Sequence, residues 1–180
     1  MKKALKITGL IIIFIIMVLL VTGLFVKKEY SVERDITLNK PKQEVFEYVK
    51  YLKNQGNFSV WSKIDPIMKT EYRGTDGTVG FISAWDSDNS DAGKGEQEII
   101  GIKEGERIDY EIRFFEPMKS TDNAFMTFQS VADSSTNLKW GFFGRMKYPM
   151  NVMLVFMDMD AMLGKDLEGG LSNLKAILEK

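Results

Sequence analysis

The sequence predicts an α+β domain carried behind a single N-terminal membrane helix. Three observations lead there: an uncharged apolar run near the start, a middle built of alternating strand-like segments, and a closing apolar stripe at helical spacing. At 180 residues the chain has the length of one domain. Setting aside residues 1–28 as an anchor leaves residues 29–180 as that domain. A domain of this size buries roughly 70% of the surface its unfolded chain exposes, so it needs no disulfide or metal staple.

The first element runs from Ile7 to Val26, ITGLIIIFIIMVLLVTGLFV, without a charge. At about 1.5 Å per residue such a helix crosses the ~30 Å hydrocarbon core of a bilayer. A cleaved signal has a shorter apolar region of roughly 7–15 residues and an A-x-A-like site. The small-residue candidate here is Val21-Thr22-Gly23, inside the apolar run, so the segment reads as a retained anchor. It is apolar on every face, unlike a core helix of a soluble fold. Lys2, Lys3 and Lys6 precede it, and Lys27, Lys28 and Arg34 follow. With the α-amine added, the positive-inside bias favours a cytoplasmic N-terminus and a domain outside, as a single-pass membrane protein.

Tyr30–Leu38 alternates, with Val32, Ile36 and Leu38 on one face and Glu33, Asp35 and Thr37 on the other. It reads as a half-buried strand with one exception, Arg34 on the apolar side. Asn39-Lys40-Pro41 supplies an N-cap candidate and a helix-starting proline. Val45, Phe46, Val49 and Leu52 then mark a helix of two to three turns, and Asn54 to Pro66 is broken and short-ranged. Strands are predicted at 69–73 and 78–86 around Gly74-Thr75-Asp76-Gly77, and at 96–103 and 107–115 around Glu104-Gly105-Glu106. The clearest is Arg107–Phe115, with Ile108, Tyr110, Ile112 and Phe114 on one face. A last hairpin joins 123–132 to 137–144. After Pro149, Phe156, Met159, Leu163, Leu167, Leu171, Leu174 and Leu178 form one helical stripe. Gly164, Gly169 and Gly170 interrupt it, as glycines do where something packs close or the helix bends. A long antiparallel sheet curling round this helix would leave room for a cavity between them.

Composition excludes several chemistries. With no cysteine there is no disulfide framework, thiolate zinc site or cysteine nucleophile. With no histidine, Ser-His-Asp, Cys-His and zinc-histidine catalysis are excluded as well. Net charge is −1, and −4 once Lys2, Lys3 and Lys6 are set aside, so there is no basic stripe for nucleic acid. Asp86-Ser-Asp-Asn-Ser-Asp91 fails as a calcium loop. The glycine required at its sixth position and the glutamate at its twelfth are not both present from either Asp86 or Asp88. It reads as a solvated hairpin tip, and no metal or other cofactor is expected. Asp109, Glu111, Asp158, Asp160, Asp166 and Glu168 read as solvated faces, and Asn57-Phe58-Ser59 is a weak sequon.

The aromatic and methionine content has two readings. Trp61, Trp85, Tyr110, Ile112, Phe114, Phe128, Trp140 and Phe142, with Met159, Met162 and Leu163 from the final helix, either interdigitate as an ordinary core or line an adaptable apolar pocket.

Several strings together resemble the polyketide cyclase/dehydrase and lipid-transport group, the START/Bet v 1-like (SRPBCC) superfamily. They are Trp61-Ser62-Lys63-Ile64-Asp65-Pro66, Gly77-Thr78-Val79-Gly80, Trp85, Gly93-Lys94-Gly95-Glu96-Gln97-Glu98-Ile99, Arg107-Ile108, Phe114-Phe115-Glu116-Pro117, Thr136-Asn137-Leu138-Lys139-Trp140, Gly164-Lys165-Asp166-Leu167-Glu168-Gly169-Gly170-Leu171 and Asn173-Leu174-Lys175. The resemblance spans Tyr30 to Lys180. It implies a helix-grip fold, in which a curved antiparallel sheet wraps a long C-terminal helix over a hydrophobic cavity. It implies a shared cavity rather than a shared catalytic set. Members that cyclise with histidine have no counterpart here. The resemblance leaves three expectations: a binder of a hydrophobic small molecule or lipid, an enzyme of cyclase/dehydrase type working without histidine and with Tyr110 as candidate, or an interaction domain whose cavity is filled by its own side chains.

Overall fold

A computed structural model describes residues 2–180. Helix α1, Lys2–Phe25, is exposed along its length apart from Gly23 and a few half-buried positions. It is long and apolar enough to cross a membrane. The remaining elements are β1 (Glu29–Leu38), α2 (Lys42–Lys50), α3 (Gln55–Phe58), β2 (Lys69–Arg73), β3 (Ile82–Asp86), β4 (Lys94–Lys103), β5 (Arg107–Glu116), β6 (Ser120–Ala132), β7 (Ser135–Arg145) and α4 (Met159–Leu178). Single 3-10 turns stand at Leu52–Asn54, Trp61–Lys63 and Met150–Val155.

All strands are antiparallel in one seven-stranded sheet, ordered β1-β7-β6-β5-β4-β3-β2. Each of β2 to β7 pairs with its chain neighbour through a hairpin, and β1 closes the sheet on β7. The strands' apolar faces turn towards α4, whose Leu167, Leu171 and Leu174 are fully buried. This is the α+β helix-grip arrangement.

Sequence and structure differ at three places. The strand expected from Thr78 begins only at Ile82, because Gly77 and Gly80 take positive φ and turn the chain first. Helix α2 starts after Pro41 with no side-chain cap. Asn39, the expected cap, instead donates its backbone N–H to Glu179 Oε1 at 2.6 Å, tying the sheet edge to the end of α4. The final stripe begins at Met159, because Asp158 caps α4 there by accepting from Ala161 N–H at 2.9 Å. Phe156 therefore lies outside α4, and it is exposed.

Arg34 has a clear place. It projects on the inner side of β1, where its guanidinium meets Asp160 in a bidentate pair at 2.9 Å and Glu168 at 2.6 Å. The guanidinium lies across Gly164, and a Cβ there would overlap it. So Gly164 marks a close approach, and Asp160 and Glu168 are partners of β1 rather than free surface carboxylates.

Candidate functional site

One half of the space between sheet and α4 is filled. Phe46 of α2 meets Phe128 edge-on, with ring centroids 5.1 Å apart, and Val45, Val49, Ile108, Met126 and Leu138 close that end. The other half is open and holds a cavity of about 470 Å³, within the usual range for small-molecule pockets.

Its walls come from the sheet, from α4 and from the stretch between α2 and β2. From the sheet, β3 gives Trp85, β5 gives Ile112 and Phe114, and β6 and β7 give Ala124, Trp140 and Phe142. Leu163 covers it from α4, and Trp61, Ile64 and Met68 wall it from the irregular stretch before β2. The aromatic rings brace one another: Trp61 and Trp140 meet edge-on at 5.7 Å, Phe58 and Trp140 at 5.9 Å, and Trp85 and Phe114 at 5.8 Å. Trp85 is fixed further by its indole N–H, which donates to Ala92 O at 3.0 Å. It packs across Gly95 of β4, where a Cβ would stand 2.5 Å from the indole.

The cavity has a polar side. Gln97 points inward from β4 and donates to Gln55 of α3 at 3.1 Å. Ser59, Ser83 and Thr70 line the same region, and Asp65, which accepts from Ser87 Oγ, stands at its edge. Such a surface suits a largely apolar molecule with a few hydrogen-bonding groups.

Seven of the eleven residues singled out from sequence line this cavity: Trp61, Trp85, Ile112, Phe114, Trp140, Phe142 and Leu163. Four do not. Tyr110 shares a face of β5 with Ile112 and Phe114 but sits at the filled end, fully buried, and Phe128 packs on Phe46. Met159 faces a separate shallow recess with Tyr30, Val26 and Leu154, and Met162 is exposed on the outer side of α4. Tyr110 lines neither this cavity nor that recess, and burial, with Asp109 and Asp76 adding to it, pushes its phenol up.

Sequence reasoning missed the polar side altogether. The signal was present. Gln97 alternates with Gly95 and Ile99 on the inner face of β4, and a polar side chain on a buried face is the informative exception. In β2, Thr70 and Tyr72 line the cavity while Lys69, Glu71 and Arg73 do not.

A curved antiparallel sheet, a long C-terminal helix and an apolar space between them define the helix-grip class. No protein-family model matches the chain, and no curated protein matches its sequence. Solved structures do match. The crystal structure of Ara h 8.0201 superposes with a TM-score of 0.57 at 16% identity, over 84% of this chain and 99% of that one. A crystal structure of a Chromobacterium violaceum protein gives 0.59 at 14% identity, over 83% and 97%. One from Rhizobium loti gives 0.59 at 16%, over 82% and 96%. At these identities the likeness is one of fold: the chain has the fold of the Bet v 1/SRPBCC-like superfamily.

Proposed function

We propose that the protein is a membrane-tethered binding domain for a hydrophobic small molecule or lipid. In this reading residues 1–28 anchor the chain and residues 29–180 form the binding domain, with the N-terminus cytoplasmic and the domain outside. The observation that carries the reading is the cavity of about 470 Å³, walled by aromatic and aliphatic side chains and carrying the Gln55–Gln97 pair on its polar side. Neighbouring structures of the same fold, Ara h 8.0201 among them, support it at the level of architecture.

Leu163→Trp tests it, because Leu163 points into the cavity from α4. In an open cavity the added ring enters empty space, so stability changes by under about 1 kcal/mol, whereas overpacking a filled core costs about 1–3 kcal/mol. The wild-type protein should bind an apolar fluorescent probe, and Leu163→Trp should bind it far more weakly at nearly unchanged unfolding midpoint. Native mass spectrometry of detergent-extracted protein should show a co-purifying apolar molecule that the variant lacks. A large loss of stability, with no probe binding by either protein, refutes the binding function.

A further inference from the structure

We propose that the segment Tyr148–Phe156 is a bilayer-docking surface that seats the domain against the lipid headgroup layer beside the anchor. The inference rests on the reading of α1 as a membrane span.

Helix α1 has one buried residue, Gly23, near its C-terminal end. What buries it is the 3-10 turn Met150–Val155 and the residues leading into it. A Cβ at Gly23 would stand 3.3 Å from the Tyr148 ring. Asn151, itself fully buried, donates Nδ2–H to Gly23 O at 2.7 Å and to Val26 O at 3.0 Å. Beyond the helix, Met146 N–H donates to Lys28 O at 2.8 Å. The join between anchor and domain is thus a hydrogen-bonded clamp rather than a free linker.

That clamp fixes depth. Gly23 and Val26 belong to the last turn of the apolar run, and one helical turn rises about 5.4 Å. The headgroup region is about 5–8 Å thick on each side of the hydrocarbon core. A segment bonded to these carbonyls therefore lies at the boundary between acyl chains and headgroups whenever α1 spans the bilayer.

The chemistry of the segment suits that depth. From Tyr148 to Met157 the chain carries no charge, and its one amide side chain is turned inward onto the anchor. Tyr148, Met150, Val155 and Phe156 are exposed, Phe156 by 76%. Lys27, Lys28 and Lys147 are exposed beside them, where anionic headgroups would meet them. An aromatic and aliphatic patch edged by lysines is the composition of a membrane interface. The segment also runs directly into α4, whose Leu163 walls the cavity, so docking would hold that wall next to the bilayer.

The full chain has no cysteine, so single labels can be placed at will. Ile13→Cys in α1, Phe156→Cys in the segment and Val131→Cys at the far end of β6 would each carry an environment-sensitive fluorophore. Met150→Cys serves as a second site in the segment. The proteins are reconstituted into vesicles of equal parts phosphatidylcholine and phosphatidylglycerol. Labels at 150 and 156 should lose emission to phospholipids bearing a nitroxide near the headgroup and resist aqueous iodide. The label at 13 should respond to a nitroxide deep in the acyl chain, and the label at 131 to iodide alone. If 150 and 156 behave like 131 while 13 stays lipid-buried, the docking surface is refuted and the anchor stands. If the label at 13 is also open to iodide, the anchor reading falls and the docking falls with it.

Discussion

Gly169 and Gly170 stand side by side in α4, yet alanine should have unequal effects at the two. In each case the substitution removes the cost of glycine in a helix, about 1 kcal/mol in favour of the variant. At Gly169 the added Cβ comes 3.0 Å from Val60 Cγ1, a single methyl that can rotate or shift by a few tenths of an ångström. At Gly170 it comes 2.7 Å from Trp140 Cζ3, about an ångström inside normal carbon–carbon contact. The Trp140 ring is buried and braced edge-on by Phe58 and Trp61, so it has little freedom to retreat. Overpacking of that kind costs about 1–3 kcal/mol. Because the helix contribution cancels between neighbouring sites, Gly169→Ala should exceed Gly170→Ala in stability by about 1–3 kcal/mol. For a domain of this size that separates the two melting temperatures by roughly 2–12 °C. Circular dichroism melts of both variants and the wild type measure it. A Gly170→Ala protein as stable as Gly169→Ala would refute the packing of α4 on Trp140.

Two further outcomes concern titration. Burial, with the Asp122 carboxylate adding to it, pushes the Tyr30 phenol up to about 12. An unfolded tyrosine ionises near pH ~10, so between about pH 10 and 12 the unfolded state releases a proton the folded state keeps, and stability falls as pH rises. Ultraviolet titration should show Tyr30 and Tyr110 ionising above pH ~10, with Tyr30 moving to lower pH in Asp122→Asn. Tyrosine absorbance that finishes changing near pH ~10 and is the same in both proteins would contradict this. On the outer face of the sheet, Arg113 joins Glu96 and Glu98, each at 2.7 Å, and Glu111. Although burial alone raises it, Arg113 and Arg73 hold the Glu96 carboxyl below its ordinary value. The stability it contributes is present above its unfolded value and lost as pH falls through its folded one. Arg113→Gln should therefore lower the unfolding midpoint at neutral pH, and the gap from wild type should narrow in acid and in high salt.

The sheet was largely legible because its strands alternate. Ile108, Tyr110, Ile112 and Phe114 share a face as their spacing requires, and the leucines of α4 bury as their stripe requires. Arg34 was visible as an anomaly, but its reason lies in Asp160 and Glu168, far along the chain. The site was legible only by half. Periodicity says which face of β5 is inward; it does not say where α2 stops covering that face. Tyr110 at the covered end is core, and Ile112, two residues on, lines a cavity. Residues 54–66 carry no period, so Gln55, Ser59 and Ile64 gave no pattern to read before the chain was seen folded.

The sheet closes between its two most distant strands, with Glu29 opposite Arg145 and Leu38 opposite Thr136. This ordering has a kinetic consequence. Strands β2 to β7 can zip as successive hairpins while the chain is being made, since each meets a sequence neighbour. Strand β1 emerges first and its partner last. At about 5–20 residues per second of synthesis, it waits on the order of ten seconds with both edges bare. Helix α1 has left the ribosome by then, so β1 waits attached to it. The open state is therefore longest-lived in β1, the strand joined to α1.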